Sequence, residues 1–235
     1  MNNTHASTLF LDSVIIDEIQ RYSWLVSGVT TTPTFFKREN IDYDTFVMHF
    51  RTQFPYLELH IEALSSTPSE TEKQIKDIIN KDWFDRSKVI LKIPATLPHL
   101  EIISRYTKEG ILFNTHLVFN PAQAYLAAKA GTAYVCPLIG RYADTASRKN
   151  PNFTRGGDND AGKLLLSEVM SAVHTSDQYN NVKVMASSIR TIEDFRNAIL
   201  LKAHAITVPT KILEQAMNDE LTHDGISIFL KDMGY

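Results

Sequence analysis

Lys92 ends the apolar run Val89-Ile90-Leu91 and is followed at once by Ile93-Pro94-Ala95-Thr96. An amine among side chains that favour strands and burial is costly unless it is paired or neutral. A low-dielectric setting disfavours the charged form of an amine, and a neutral amine attacks a carbonyl to give a Schiff base. Taken alone, the segment more often describes a lysine at a strand end whose stem carries its charge out to water. The polar residues elsewhere in the chain decide between the two.

Several of them stand at the ends of other short apolar or β-branched runs: Asp12, Thr30 to Thr32, His60, Asn114 and His116, Arg141, and Ser188 with Arg190. Together they supply a carboxylate, two imidazoles and two guanidinium groups to accompany the amine. Singly, each has an ordinary reading. Asp12 can cap a helix over 13–22, and either arginine can be a surface ion pair of little worth. Glu58, His60 and Glu62 share one face at period two, so any of the three can present its side chain where His60 does.

The elements that carry these residues alternate. Strands are expected over 8–12, 25–30, 56–61, 89–93, 112–119, 134–139, 182–186 and 205–208. Helices are expected over 69–80, opened by Ser69 with Glu72 three positions on, over 98–108, closed by Gly110, over 122–130 before Gly131, and over 191–202. The polar stretch 145–162 reads as a long loop whose basic residues Arg148, Lys149 and Arg155 are solvated. Its Gly156-Gly157 pair makes no nucleotide fingerprint, because no strand leads into a GxGxxG helix start. Eight βα units predict an α/β chain, a single-domain (β/α)8 TIM barrel over 1–235, with chemistry at the C-terminal ends of its strands. The segment 219–235, with Ile226, Ile228, Phe229 and Leu230, is either a helix exchanged between neighbouring copies or one packed on its own barrel.

The chain has 235 residues, 43% of them hydrophobic, enough for one sizeable core. No apolar stretch approaches the roughly twenty residues of a membrane span. The polar residues 1–7 do not resemble a secretory leader, so a cytoplasmic location is expected. The lone Cys136 allows no intramolecular disulfide and no cysteine metal cluster. A formal charge of -3 with interspersed signs offers no basic stripe for nucleic acid.

Seven pieces in order resemble the transaldolases, particularly the small transaldolase and fructose 6-phosphate aldolase branch. They are Leu9-Phe10-Leu11-Asp12-Ser13, Gly28-Val29-Thr30-Thr31-Thr32-Pro33, Lys92-Ile93-Pro94-Ala95-Thr96, and the run from Gly110 through Asn114, His116, Leu117 and Phe119 to Gln123-Ala124. Pro137-Leu138-Ile139-Gly140-Arg141, Ala186-Ser187-Ser188-Ile189-Arg190-Thr191 and Ile206-Thr207-Val208-Pro209 complete the set. The resemblance implies a class I mechanism without cofactor or metal, on small sugar phosphates. Lys92 forms an iminium with the ketone, Asp12 takes the C4 hydroxyl proton, and Arg141, Ser188 and Arg190 bind phosphate. It also implies a homo-oligomer, a pentamer or decamer.

The departures are specific. Thr32 stands where the family has an asparagine that holds the donor's hydroxyls, and Cys136 where classical transaldolases have a serine. Leu138 replaces the aromatic wall residue. His60 and His116 fall where the family's Glu or Gln and its Thr hold a catalytic water, so two imidazoles are expected to share that water and shuttle protons. Asn114 matches the classical transaldolases and favours three-carbon transfer. The alternatives are an aldolase-like lyase with a less hydroxylated donor such as hydroxyacetone, a silent sugar-phosphate binder, and a metal-dependent lyase built on His60, His116 and an acid.

Overall fold

A computed structural model describes residues 7–174, 179 and 181–235. The leader reading rests mainly on residues 1–6, which lie outside the described residues. Eight parallel strands close into a barrel in chain order: β1 (Thr8–Asp12), β2 (Gly28–Thr30), β3 (Glu58–Glu62), β4 (Val89–Pro94), β5 (Phe113–Val118), β6 (Tyr134–Pro137), β7 (Lys183–Ala186) and β8 (Ala205–Val208). β1 pairs back onto β8, so the sheet has no edge. The eleven described α-helices are α1 (Ile16–Tyr22), α2 (Pro33–Glu39), α3 (Tyr43–Gln53), α4 (Pro68–Ile79), α5 (Leu97–Tyr106), α6 (Pro121–Lys129), α7 (Ile139–Lys149), α8 (Ala161–Val173), α9 (Ile192–Leu200), α10 (Thr210–Met217) and α11 (Glu220–Asp232). The fold is the (β/α)8 barrel.

Two apolar layers hold it. Inside the barrel lie Phe10, Ile90, Tyr134, Cys136, Met185 and Ala205. Between sheet and helices lie the alternate strand residues, such as Leu11, Leu59, Ile61, Leu91 and Ile93, against helix residues such as Ile75, Ile103 and Leu166. Pairing in β3, β4 and β5 sets Glu62 beside Lys92, Lys92 beside Asn114, and Pro94 beside His116. Because parallel partners face the same way, Glu62, Lys92 and Asn114 all point into the barrel. Proline in the first turn of α2, α4, α5 and α6 starts each of these helices close behind its strand.

Four local expectations are corrected. α4 is capped by Thr67, whose side chain accepts from the Glu70 N–H, and not by Ser69. Asp12 caps nothing, since α1 starts only at Ile16, which leaves its carboxylate to the barrel mouth. The stretch 145–162 is a loop only in its middle: 145–149 continue α7, and Ala161 and Gly162 open α8. Arg155 is ion-paired and partly buried rather than solvated.

Candidate active site

The strand ends meet in a cavity of about 370 Å³ at the C-terminal mouth, a size that suits a small ligand. Asp12, Thr32, Lys92, Asn114, His116, Cys136, Leu138, Arg141, Ser188 and Arg190 all line it. Of the strand-end residues singled out in the sequence for the site, Thr31 and His60 do not.

Lys92 is 5% exposed, so it does not reach for water. Its Nζ donates to the Thr31 carbonyl at 2.6 Å and stands 3.6 Å from Glu62 Oε2. Asp12 Oδ1 accepts from Thr30 Oγ1 at 2.7 Å, and Thr30 in turn shares a 2.6 Å hydrogen bond with Thr207. Burial pushes the Asp12 carboxyl above its ordinary value, and the opposing pull of Lys92 and Thr30 does not cancel it.

His116 faces Glu62, not His60. Its Nε2 lies 2.5 Å from Glu62 Oε1, close but poorly aligned for a hydrogen bond, so both atoms keep unspent bonding capacity. Burial raises the Glu62 carboxyl, but His116 and Lys92 outweigh it and hold the group below the usual carboxylate value. Burial also drives the His116 imidazole below its usual value, more strongly than Glu62 raises it. The pair rests as a carboxylate beside a neutral imidazole. Immediately after His116, β5 shifts register between Thr115 and Val118, and Leu117 takes φ 55°. A bulge of this kind re-aims a side chain at a site rim.

His60 lies one inward position deeper, with no exposed surface. The Asn114 amide nitrogen donates to its Nδ1 at 3.0 Å, so the ring proton is on Nε2, 3.5 Å from Glu58 Oε2. Glu58 also accepts from the Tyr134 hydroxyl at 2.8 Å. His60 thus does not line the cavity; β3 extends one residue past its expected end and carries Glu62 to the height of Lys92. Nor do these imidazoles converge as ligands, and among the described residues no three His, Cys, Asp or Glu side chains group to hold a metal ion.

At the rim, Arg141 belongs to the first turn of α7 and Arg190 lies just before α9. Ser188 sits between them in the left-handed region, at φ 57°. A β-carbon at Gly140 would lie 2.0 Å from the Ser188 carbonyl, so glycine is what lets these two loops touch. Asp194 accepts from the backbone N–H groups of Arg190 and Thr191 and receives Arg155 Nη1 at 2.6 Å. Asp144 pairs with both Arg155 and Arg190. Arg38 of α2 also lines the cavity, as do Ser187 and Thr207. Arg38 and Ser187 escaped the sequence reading because Arg38 sits within a helix rather than at a strand end and Ser187 is masked by the adjacent Ser188.

The model of the Transaldolase/Fructose-6-phosphate aldolase family matches residues 9–233. The chain belongs to that family. The chain is 37% identical over 228 residues to the probable transaldolase of Dehalococcoides mccartyi, covering 95% of this chain and 96% of that protein. Similarity to the probable transaldolases of Caldicellulosiruptor saccharolyticus, 34% over 230 residues, and Petrotoga mobilis, 31% over 228 residues, also spans 95% of this chain. These two matches cover 95% and 93% of the relatives. A transaldolase-like function on sugar phosphates follows for the family member described here, in a barrel whose described helices include none long and apolar enough to cross a membrane.

Proposed function

We propose that this chain is a Schiff-base transaldolase that moves a three-carbon ketol unit between sugar phosphates, with Lys92 as nucleophile. One observation carries the reading. The Lys92 amine is buried at the floor of a cavity that also holds the Asp12 carboxylate and opens past Arg141 and Arg190. The amine attacks the ketone carbon, and loss of water gives an iminium whose positive nitrogen draws electrons from the C3–C4 bond. Asp12 removes the C4 hydroxyl proton as that bond breaks, and its raised pKa suits a base. The acceptor aldehyde then adds to the enamine, and hydrolysis frees Lys92.

Arg141, Ser188 and Arg190 bind the phosphate at the rim, where planar guanidinium groups match its oxygens. Thr32, Asn114, Cys136 and Leu138 line the donor side. Asn114 holds donor hydroxyls through its unpaired Oδ1, with His60 fixing the amide from below. His116 shuttles protons during imine formation and hydrolysis. A second reading, cleavage with a less hydroxylated donor such as hydroxyacetone, draws on the apolar Leu138 wall and the Cys136 thiol, which burial pushes up to about 11. Product analysis with fructose 6-phosphate, with and without an acceptor aldose phosphate, separates them. Acceptor-dependent turnover is expected; equal rates without acceptor would favour cleavage.

The protein acts in the cytoplasm as a homo-oligomer. In support, α11 has no buried residue, while Leu221, Ile228 and Phe229 on it are exposed.

A further inference from the structure

We infer that Glu58, at the N-terminal end of the barrel, is a positioning residue for the site at the other end: through His60 it sets which way round the Asn114 amide faces. The inference rests on the reading of Asn114 above, as a holder of donor hydroxyls, and deepens it. Glu58 and His60 are successive inward-facing residues of β3, two positions apart. An acid and an imidazole are unusual in a barrel interior that bulky apolar residues normally fill, as Phe10, Ile90 and Met185 do here. A β-carbon at position 28 would lie 2.7 Å from the Phe10 ring and 2.9 Å from Glu58 Cβ, so Gly28 is what gives them room.

The contacts run from the barrel floor towards the mouth. Lys183 Nζ donates to the Tyr134 hydroxyl at 3.3 Å, and that hydroxyl donates to Glu58 Oε2 at 2.8 Å. The same oxygen faces His60 Nε2 at 3.5 Å. Burial raises the Glu58 carboxyl, but His60 and Tyr134 outweigh it and keep the group below its ordinary value. Burial drives the His60 imidazole below its own ordinary value. A carboxylate therefore faces a neutral ring. Phe10 and Tyr134 hold that ring in place, meeting it edge to face at centroid distances of 5.0 and 4.8 Å.

A neutral imidazole carries one ring proton, and a carboxylate only accepts. At 3.5 Å Glu58 is too far for a strong hydrogen bond, yet its charge attracts an N–H and repels a lone pair. The proton therefore sits on Nε2, which leaves Nδ1 as an acceptor. On the far side of the ring Asn114 presents its amide nitrogen, 3.0 Å from Nδ1 and 3.6 Å from Met185 Sδ, a second acceptor. The amide oxygen is turned the opposite way, buried and without a hydrogen-bond partner, in a residue that lines the cavity beside Lys92. The site thus offers an acceptor to a substrate hydroxyl. With the ring proton on Nδ1 the amide would reverse and offer its N–H groups instead.

Nitrogen-15 spectra of the histidine rings at neutral pH read the tautomer directly, with His60 assigned through its ring contacts to Phe10 and Tyr134. In the wild-type protein a protonated Nε2 and a bare Nδ1 are expected; a proton on Nδ1, or on both nitrogens, overturns the inference. In Glu58→Met the ring loses its preference, so the Nδ1 resonance is expected to move towards its protonated position. The kcat/KM preference of that variant for fructose 6-phosphate over its 1-deoxy or 3-deoxy analogue is expected to fall about tenfold, the worth of one hydrogen bond. Either an unmoved resonance or two unchanged preferences overturns the inference and leaves Lys92 chemistry standing. Should the variant not fold, the wild-type tautomer alone decides. Borohydride trapping on wild-type Lys92 is a separate readout: its failure removes the Schiff-base reading, while the ring spectrum still judges what Glu58 does to His60.

Discussion

At the residue scale, two side chains divide the reaction between them. Asp12 acts on the sugar hydroxyl and not on the amine, so Asp12→Asn is expected to lower transfer by roughly 10²–10⁴-fold while Lys92 still forms its imine. Burst trapping of the imine alongside steady-state assays measures the two separately. His116 sits below its ordinary pKa chiefly because it is buried. Its neutral form is the working one, so activity falls as pH drops through that lowered value and recovers above it. Replacing His116 by threonine is expected to remove this limb from the kcat profile, whereas a limb that persists assigns the titration to another group. The imidazole at 116 was legible in the sequence; its partner Glu62 was only one of three inward-facing alternatives on the third strand. Period-two alternation shows which residues of β3 face inward but not how high each stands, and only the pairing of Glu62 with Lys92 fixes that height.

At the element scale, the loops after β6 and β7 are one unit. Asp194 is 1% exposed and bridges Arg155 to the backbone of Arg190 and Thr191. Removing the cation strands a buried charge, so Arg155→Leu is expected to cost about 3 kcal/mol in denaturant unfolding. It also raises KM for phosphorylated substrates, because Asp194, which holds the Arg190 and Thr191 backbone, loses its counter-charge. A variant with wild-type stability and KM would show the network to be inert. Strands were readable because each is a compact apolar or β-branched run, and their ends erred by no more than three residues. α7 was missed because Tyr142, Ala143, Asp144, Thr145, Ala146, Ser147, Arg148 and Lys149 lie too near the polar loop in composition for a helix to show. The α4 cap moved to Thr67 because Pro68 already starts the helix. The bulge at Leu117 has no sequence marker of its own, since leucine rarely takes a positive φ.

At the scale of the whole molecule, closure of eight strands places an amine, a carboxylate, an imidazole and three arginines, drawn from distant parts of the chain, around one cavity. The alternation of short strands with helices made that architecture visible from sequence, because chemistry in such barrels gathers at the C-terminal strand ends. The outward-facing helix α11 is the part that one barrel does not explain. Deleting 219–235 is expected to reduce the assembly seen by sedimentation to single chains, with imine formation at Lys92 preserved. An unchanged sedimentation profile would place the contact elsewhere.

Covalent chemistry at Lys92 underlies all of these expectations. Borohydride reduction in the presence of fructose 6-phosphate, followed by mass analysis of the peptide containing Lys92, is expected to show a reduced sugar-derived fragment fixed to that lysine and absent from Lys92→Met. An unmodified Lys92 in protein that turns over substrate, or the fragment on another lysine, would contradict it.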